Sequence, residues 1–194
     1  MKVVGITGGI GSGKTTVCHI FKQLGIPVFY ADDEAKKLYD DKKIVSKVVK
    51  LFGKIILYSN RKVDKKKLAE IVFNNSSSLA KLNAIIHPEV KRKFESWKRK
   101  QSGVKYIIKE AAIMIESGSH RDVNFLVSVT SDKELRINRI INRDKIKKSE
   151  INKRIGEQIS DKERIKYSDA IIINDGSHSL IEQVLKIHQQ LLEK

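Results

Sequence analysis

Gly8-Gly9-Ile10-Gly11-Ser12-Gly13-Lys14-Thr15 is the segment from which the fold of this chain can be inferred. It matches the pattern G-x-x-x-x-G-K-[ST], and it lies between an apolar run, Val3–Ile6, and a segment with helical spacing, Thr15–Leu24. Glycines let such a loop bend so that consecutive backbone N–H groups point at phosphate oxygens, and the helix N-terminus adds partial positive charge. The context of strand, loop and helix favours a phosphate-binding P-loop over a chance glycine-rich turn.

This loop supplies the candidate residues for a nucleotide, which we expect to be ATP with Mg²⁺. We expect the Lys14 ammonium to reach the β- and γ-phosphates and the Thr15 hydroxyl to bind Mg²⁺. Further phosphate contacts are expected from the rest of the loop and the start of the helix, at Gly8, Gly11, Ser12, Gly13 and Thr16. A P-loop predicts a nucleotide but leaves the phosphoryl acceptor open.

Outward from the loop, short apolar runs alternate with longer stretches of helical spacing. The apolar runs, which predict buried parallel strands, are Val3–Ile6, Pro27–Tyr30, Val104–Ile108, Phe125–Thr130 and Ala170–Ile173. The helical stretches are Thr15–Leu24, Ala35–Phe52, Leu79–Lys100, Asp132–Arg143 and Leu180–Leu192. Together with the phosphate-binding loop, this alternation predicts an α/β P-loop fold, a three-layer core with a parallel five-stranded sheet covered by helices.

Residues 34–104 interrupt the alternation, because they are rich in lysine and helical spacing and contain no convincing central strand. We therefore predict a nucleotide-binding core formed by residues 1–33 and 105–194, and a helical insertion at 34–104 on the carboxyl-terminal edge of the sheet. The single cysteine, Cys18, excludes an internal disulfide framework. No apolar run approaches the roughly 18 residues of a membrane span, so we expect a cytoplasmic protein without a membrane partner.

The net charge of the chain is +16, from 39 Lys and Arg against 23 Asp and Glu. Such an excess indicates a nucleic acid, an anionic membrane or another polyanion as partner, although lysine bias explains it as well because 30 of the 39 are Lys. The excess is uneven, since residues 36–67 alone contain 12 basic and 3 acidic residues. The charge therefore lies mainly outside the nucleotide-binding core.

Asp32 is the candidate catalytic carboxylate. We place it at the end of the second predicted strand, at the edge where open α/β sheets bind ligands. A carboxylate there can accept the proton of an attacking hydroxyl, and it is also a second candidate ligand of Mg²⁺. Its neighbours Asp33 and Glu34 we interpret as acids at the start of a helix.

Four of the nine arginines fall within 19 residues, at Arg136, Arg139, Arg143 and Arg154. The first three have i, i+3, i+7 spacing and share one helix face. An arginine fork binds phosphate with two hydrogen bonds and stays charged. We predict a helical lid at 133–158 whose arginines, Arg143 above all, stabilise the transferring phosphoryl group and exclude water. The alternative is a solvated basic face.

With these motifs in place, the chain resembles the dephospho-CoA kinase family over nearly its whole length. The segments that resemble family motifs are Gly5–Thr16, Ala31-Asp32, Val63–Leu68 with Ile71–Phe73, Leu82–Pro88, Ile113–Glu116, Arg139–Asp144, Arg154–Gln158 and Lys166–Gly176. The His87-Pro88 element and the Arg154…Gln158 pair distinguish this family from other small P-loop kinases. Three positions depart from the pattern: Tyr30 replaces an Asp, Lys65 replaces an Arg and Ala112 replaces a Pro.

The resemblance implies that ATP phosphorylates the ribose 3′-hydroxyl of dephospho-CoA, giving CoA and ADP. It implies catalytic roles for Lys14, Asp32 and Arg143, nucleotide contacts at Asn174 and Gly176, and an insertion that binds the acceptor. The acceptor contacts that it implies are Asp32, Lys65, His87, Glu116, Arg139 and Arg154. From the residues alone, a helix-end histidine bonded to backbone is the favoured interpretation of His87. For Glu116, a surface helix cap is an equal alternative.

Two alternatives stay open at this point. One is another P-loop kinase that acts on a nucleotide or small metabolite, against which the His87-Pro88 element and the long insertion argue. The other is a nucleic-acid-binding protein that uses the P-loop as a switch. Aromatic residues are 6% of the chain and none interrupts the lysine runs at 65–67 and 98–100, so base stacking is poorly supported. We expect ATP and dephospho-CoA as partners, no nucleic acid, and a monomer or small homo-oligomer.

Overall fold

A computed structural model describes residues 1–73 and 75–193 of the protein. The chain forms two compact units, Met1–Tyr30 with Gln101–Lys194, and Ala31–Lys100. We call the first the sheet unit and the second the helical unit. The α-helices of the described residues are α1 Lys14–Gln23, α2 Ala31–Lys37, α3 Lys42–Phe52, α4 Lys65–Phe73, α5 Ser76–Lys98, α6 Lys133–Asp144, α7 Lys148–Gly156, α8 Asp161–Ile165 and α9 Leu180–Glu193.

The sheet unit contains one parallel five-stranded sheet in the order β2-β3-β1-β4-β5. Its strands are β1 Lys2–Thr7, β2 Val28–Tyr30, β3 Tyr106–Glu110, β4 Phe125–Thr130 and β5 Ala170–Ile173. The predicted sheet is therefore confirmed in strand number and direction. Because β1 is the central strand, the loop that follows it opens at the middle of the carboxyl-terminal edge, where open α/β sheets bind ligands.

Both faces of this sheet are covered. On one face, α1 and α9 pack against alternate strand residues in an apolar cluster that includes Ile6, Val17, Phe21, Ile108, Val127, Ile172, Val184 and Ile187. Cys18 is buried in this cluster, and burial raises the pKa of its thiol. On the opposite face, a Cβ at Gly5 would lie 2.7 Å from Met114 Sδ and 2.8 Å from Leu126 Cδ1, so the segment after β3 packs closely there. Because both faces of the sheet are covered, the strand residues are apolar on both sides.

The helical unit has its own apolar core, formed mainly by Leu38, Ile44, Val48, Ile56, Leu68, Val72, Leu82 and Ile86. Among residues 31–73 and 75–100 there is no strand, only an isolated antiparallel bridge between Leu57 and Val63. The predicted helical stretch Ala35–Phe52 is helical but is not one helix: α2 ends at Lys37 and α3 begins at Lys42. The Asp41 side chain accepts a hydrogen bond from Lys43 N at 2.8 Å and caps the new helix.

The predicted placement of Asp32 is wrong, and the helix-end alternative for His87 does not hold. Asp32 does not end β2; it lies in the first turn of α2, with Asp33 and Glu34 beside it, as expected for acids at a helix start. His87 is not at a helix end but within α5, which continues past Pro88. In the described part of the chain, no helix is long and apolar enough to cross a membrane.

Candidate functional site

Lys14 lies over the loop that precedes it. It is 9% exposed, and its ammonium donates a hydrogen bond to the Gly8 carbonyl at 3.0 Å. The same ammonium is 3.9 Å from a carboxylate oxygen of Glu110, which is buried at the carboxyl end of β3. No sequence pattern indicates a role for Glu110, because the predicted strand ends at Ile108. A buried cation thus faces the carboxyl-terminal edge of the sheet with an acid as its neighbour.

Gly13 occupies a position that only glycine can fill without strain. It is the N-cap of α1 with a φ of 94°, in the left-handed region. A Cβ there would lie 2.0 Å from the side-chain nitrogen of Asn174. That nitrogen donates to the Ser12 carbonyl at 2.8 Å. The Asn174 side chain, placed by the end of β5, therefore closes directly over the glycine that starts α1.

Arg139 is bound to the residues that follow the last two strands. Its guanidinium donates to Ser131 Oγ and to the Asn174 carbonyl, both at 3.0 Å, and to the Asn174 side-chain oxygen at 3.2 Å. Two residues further on, Gly176 has a φ of 90° in a turn held by Asp175. The backbone N–H groups of His178 and Ser177 hold the pKa of the Asp175 carboxyl well below its usual range. Helix α6 and the loop after β5 are thus tied to the P-loop through Asn174.

The other predicted lid arginines have partners close to them in sequence. Arg143 forms two hydrogen bonds with the neighbouring Asp144 carboxylate, at 2.7 and 2.8 Å, and this raises the pKa of the guanidinium. Arg154 pairs with Glu150 one turn earlier on α7, at 2.7 Å. In both cases the guanidinium binds a carboxylate, which like a phosphate can present two oxygens to an arginine fork.

Glu116, expected at the acceptor, binds the segment after α7. Its carboxylate accepts a hydrogen bond from Ile159 N at 3.2 Å and lies 3.9 Å from the guanidinium of Arg164. Arg164 is completely buried. Sequence reasoning overlooked Arg164 and the helix α8 that carries it, although Ser160 and Glu163 have the S-x-x-E spacing of a capping box. The Ser160 hydroxyl accepts from Glu163 N at 3.1 Å.

The remaining predicted residues belong to the helical unit. Asp32 is half-buried in the first turn of α2. The Lys65 ammonium donates to the carbonyl of Lys36 on α2 at 3.3 Å, and lies 5.7 Å from the ring centroid of Tyr39. His87 is half-buried in the middle of α5. Within this unit the structure therefore brings Lys65 to the helix that carries Asp32.

Comparison with known proteins identifies the family. The sequence profile described as dephospho-CoA kinase matches residues 2–179. The chain belongs to the dephospho-CoA kinase family. It is similar to the dephospho-CoA kinase of Bacteroides fragilis, with 38% identity over 192 residues, 98% of this chain and 93% of that protein. The Fusobacterium nucleatum dephospho-CoA kinase is 41% identical over 175 residues, which cover 90% of each chain.

The fold comparison agrees with this family membership. The solved structure of the dephospho-CoA kinase from Campylobacter jejuni is similar to the chain with a TM-score of 0.67 and 28% identity. The likeness covers 98% of this chain and 97% of that one. Neither another P-loop kinase nor a nucleic-acid-binding protein is favoured, because the family match extends over both units rather than over the P-loop alone.

Proposed function

We propose that the chain transfers the γ-phosphoryl group of ATP, bound with Mg²⁺, to the ribose 3′-hydroxyl of dephospho-CoA, producing CoA and ADP. The observation that carries this proposal is the family match over residues 2–179, which includes a P-loop with a buried lysine. We expect the reaction to take place in the cytoplasm, catalysed by a monomer or a small homo-oligomer without nucleic acid.

The P-loop fits a chain of phosphates. Ser12 Oγ is buried and has no hydrogen-bond partner among the described residues, as expected of a donor kept for a ligand. Gly11 and Gly13, with φ of 80° and 94°, turn the backbone at alternate positions of the loop. Lys14 can leave the Gly8 carbonyl for the β- and γ-phosphate oxygens, because a flexible ammonium adapts its direction more readily than a guanidinium.

The residues for Mg²⁺ are oxygen donors that act together with the nucleotide. No group of three or more His, Cys, Asp or Glu in the described residues could hold a metal, so we expect the ion to arrive with ATP. The exposed Thr15 hydroxyl at the start of α1 and the Glu110 carboxylate would hold it, with Asp32 as a further candidate. When bound, Mg²⁺ neutralises charge on the β- and γ-phosphates.

We assign the proton transfer to Asp32. The resemblance of Ala31-Asp32 to the family motif supports this role, and Tyr30 in place of the family's first Asp leaves one carboxylate to perform it. Asp32 would accept the proton of the 3′-hydroxyl as that oxygen attacks. Arg143 would exchange the Asp144 carboxylate for the phosphoryl oxygens, because its fork fits both.

The positive charge of the helical unit supports dephospho-CoA as the phosphoryl acceptor. Residues 36–67 contain 12 basic and 3 acidic residues, which favours an acceptor with a pyrophosphate group. We assign acceptor contacts to Lys65, His87, Glu116, Arg139 and Arg154. The hydrogen bonds that Glu116 and Arg139 make to Ile159 and Asn174 support an indirect role through those residues as well.

A coupled ADP-release assay over a panel of acceptors tests the proposed function. We expect turnover with dephospho-CoA and with its 2′-deoxy analogue, and none with the 3′-deoxy analogue, which lacks the accepting oxygen. CoA itself is the matched negative acceptor, because its 3′-position already carries phosphate. Mass spectrometry of the product locates the new phosphate. Turnover with a nucleoside monophosphate and none with dephospho-CoA would reject the proposal.

A further inference from the structure

Ile10 lies in the P-loop, and its backbone N–H and its carbonyl are each bound by a side chain from another part of the chain. Its N–H donates to the side-chain oxygen of Gln158 at 2.8 Å. Its carbonyl accepts from Nε of Arg136 at 2.9 Å. Gln158 follows α7 and Arg136 lies in α6, so two separate segments meet on a single P-loop residue.

The neighbouring side chains leave this residue little freedom. A Cβ at Gly9 would lie 2.2 Å from Nη2 of Arg136, so the guanidinium lies directly against the loop. The Ile10 side chain packs against an apolar cluster of α6, α7 and the segment between them, formed by Ile137, Ile140, Ile141, Ile146, Ile151 and Ile155. Ile10 of the P-loop is therefore part of the apolar core between these two helices.

Arg136 is itself fixed by a row of alternating charges. It is 6% exposed, and its Nη1 lies 3.2 Å from a carboxylate oxygen of Asp161. Asp161 also binds the buried Arg164, whose Nη2 donates to the Ile159 carbonyl at 2.8 Å. Glu116 completes the row, 3.9 Å from Arg164. Two cations and two anions balance, which is the condition under which buried charges can be held in place.

We propose that Gln158 and Arg136 are positioning residues that hold the P-loop in its phosphate-binding shape by fixing the Ile10 backbone. A loop that is already in the binding shape loses less conformational freedom when a nucleotide binds. Releasing Ile10 lowers the fraction of molecules with a competent loop, and the apparent affinity falls by the same factor. The inference rests on the proposed function for the identity of the nucleotide and the acceptor.

The test is the variant Gln158→Ala, with Mg-ADP as the probe in isothermal titration calorimetry. The substitution removes the Gln158 oxygen to which the Ile10 N–H donates. It should raise the Kd for ADP by about 3- to 10-fold, the equilibrium counterpart of one net hydrogen bond. The KM for dephospho-CoA should stay at the wild-type value, because the Gln158 side chain bonds to the P-loop backbone and not to a residue assigned to the acceptor. Amide hydrogen exchange at Ile10 should become faster.

Asn124→Ala is the matched control. The Asn124 side-chain oxygen accepts a hydrogen bond from Val3 N at 2.8 Å, the same type and length of contact, at the opposite end of β1. Each variant loses one bond of this kind, so both should lower the Tm by about 2–4 °C. Only Gln158→Ala should weaken ADP binding.

If the alanine variant does not fold, Gln158→Met is a second variant. It keeps the length of the side chain and removes the oxygen that binds the Ile10 N–H. An unchanged Kd for ADP in a folded Gln158 variant would overturn the proposal. So would an equal loss of affinity in Asn124→Ala, or a parallel rise in the KM for dephospho-CoA. ADP binding needs no acceptor, so wild-type protein that binds ADP but fails to phosphorylate dephospho-CoA refutes the proposed function alone.

Discussion

The substitution Gly13→Ala should destabilise the protein through two separable effects. The first is backbone strain, since Gly13 has a φ of 94° and a left-handed conformation costs an L-residue about 1–2 kcal/mol. The second is a clash, because the new Cβ would lie 2.0 Å from the side-chain nitrogen of Asn174. Asn174 must then give up its bonds to the Ser12 carbonyl and to Arg139.

The magnitudes follow from these contacts. Two lost side-chain hydrogen bonds cost about 1–3 kcal/mol together, and alanine recovers about 0.4–1 kcal/mol by restricting the unfolded chain. We expect Gly13→Ala to lower the free energy of unfolding by about 2–4 kcal/mol. Gly25→Ala isolates the strain, because Gly25 follows the same helix with a φ of 80° and a Cβ added there would meet no atom of the described residues within 4 Å beyond its chain neighbours. It should cost about 1 kcal/mol.

A double-mutant cycle with Asn174→Ala separates the two effects in urea unfolding of the nucleotide-free protein, followed by circular dichroism. Apart from the chain next to Gly13, the side-chain amide of Asn174 is the only group of the described residues within 4 Å of the new Cβ, so the Asn174→Ala background removes this clash. In that background Gly13→Ala should cost no more than Gly25→Ala. The coupling energy should be about 1–3 kcal/mol. Equal costs for the two glycine variants in the wild-type background would refute the clash.

Four substitutions at charged residues test the proposed chemistry. Lys14→Ala should lower kcat by about 10²–10³-fold while the circular dichroism spectrum stays unchanged; near-normal turnover would reject the P-loop assignment. Asp32→Asn should lower kcat by about 10²–10⁴-fold with a smaller change in the KM for ATP, and an unchanged kcat would mean that another group accepts the proton. Arg143→Lys keeps the charge but loses the two-pronged fork, so kcat should fall; a lysine variant with wild-type kcat contradicts the need for a fork. Glu110→Gln keeps the shape but removes a carboxylate near Lys14, so half-maximal activity should require more Mg²⁺, and an unchanged Mg²⁺ titration would remove Glu110 from the metal site.

Some element boundaries differ from the sequence prediction for reasons of pairing and capping. Strand β3 extends to Glu110, beyond the predicted end at Ile108, because its last residues pair with β2 up to Tyr30. The residue after Tyr30 already starts α2. Asp32 therefore lies in a helix turn, although its place just after an apolar run suggested a strand end. The break between α2 and α3 had a local signal, the acid pair Asp40-Asp41, which apolar spacing over the whole segment obscured.

The partners of the arginines show most clearly what a sequence leaves open. The i, i+3, i+7 spacing of Arg136, Arg139 and Arg143 correctly placed them along one helix, α6. Spacing specifies a helix face but not what that face contacts. Arg136 is buried against the P-loop backbone, Arg139 binds Asn174, and Arg143 remains exposed beside Asp144.

The sequence was enough to infer the nucleotide loop, the parallel sheet and the family, because each depends on the local spacing of residues. The signals are glycines and a lysine between a strand and a helix, and apolar runs of strand length. Only the tertiary structure shows that residues distant in sequence hold the P-loop. The bonds of Ile10 to Gln158 and Arg136 join residues 148 and 126 positions apart. Such contacts depend on how α6 and α7 pack on the loop, and no period within the chain encodes that packing.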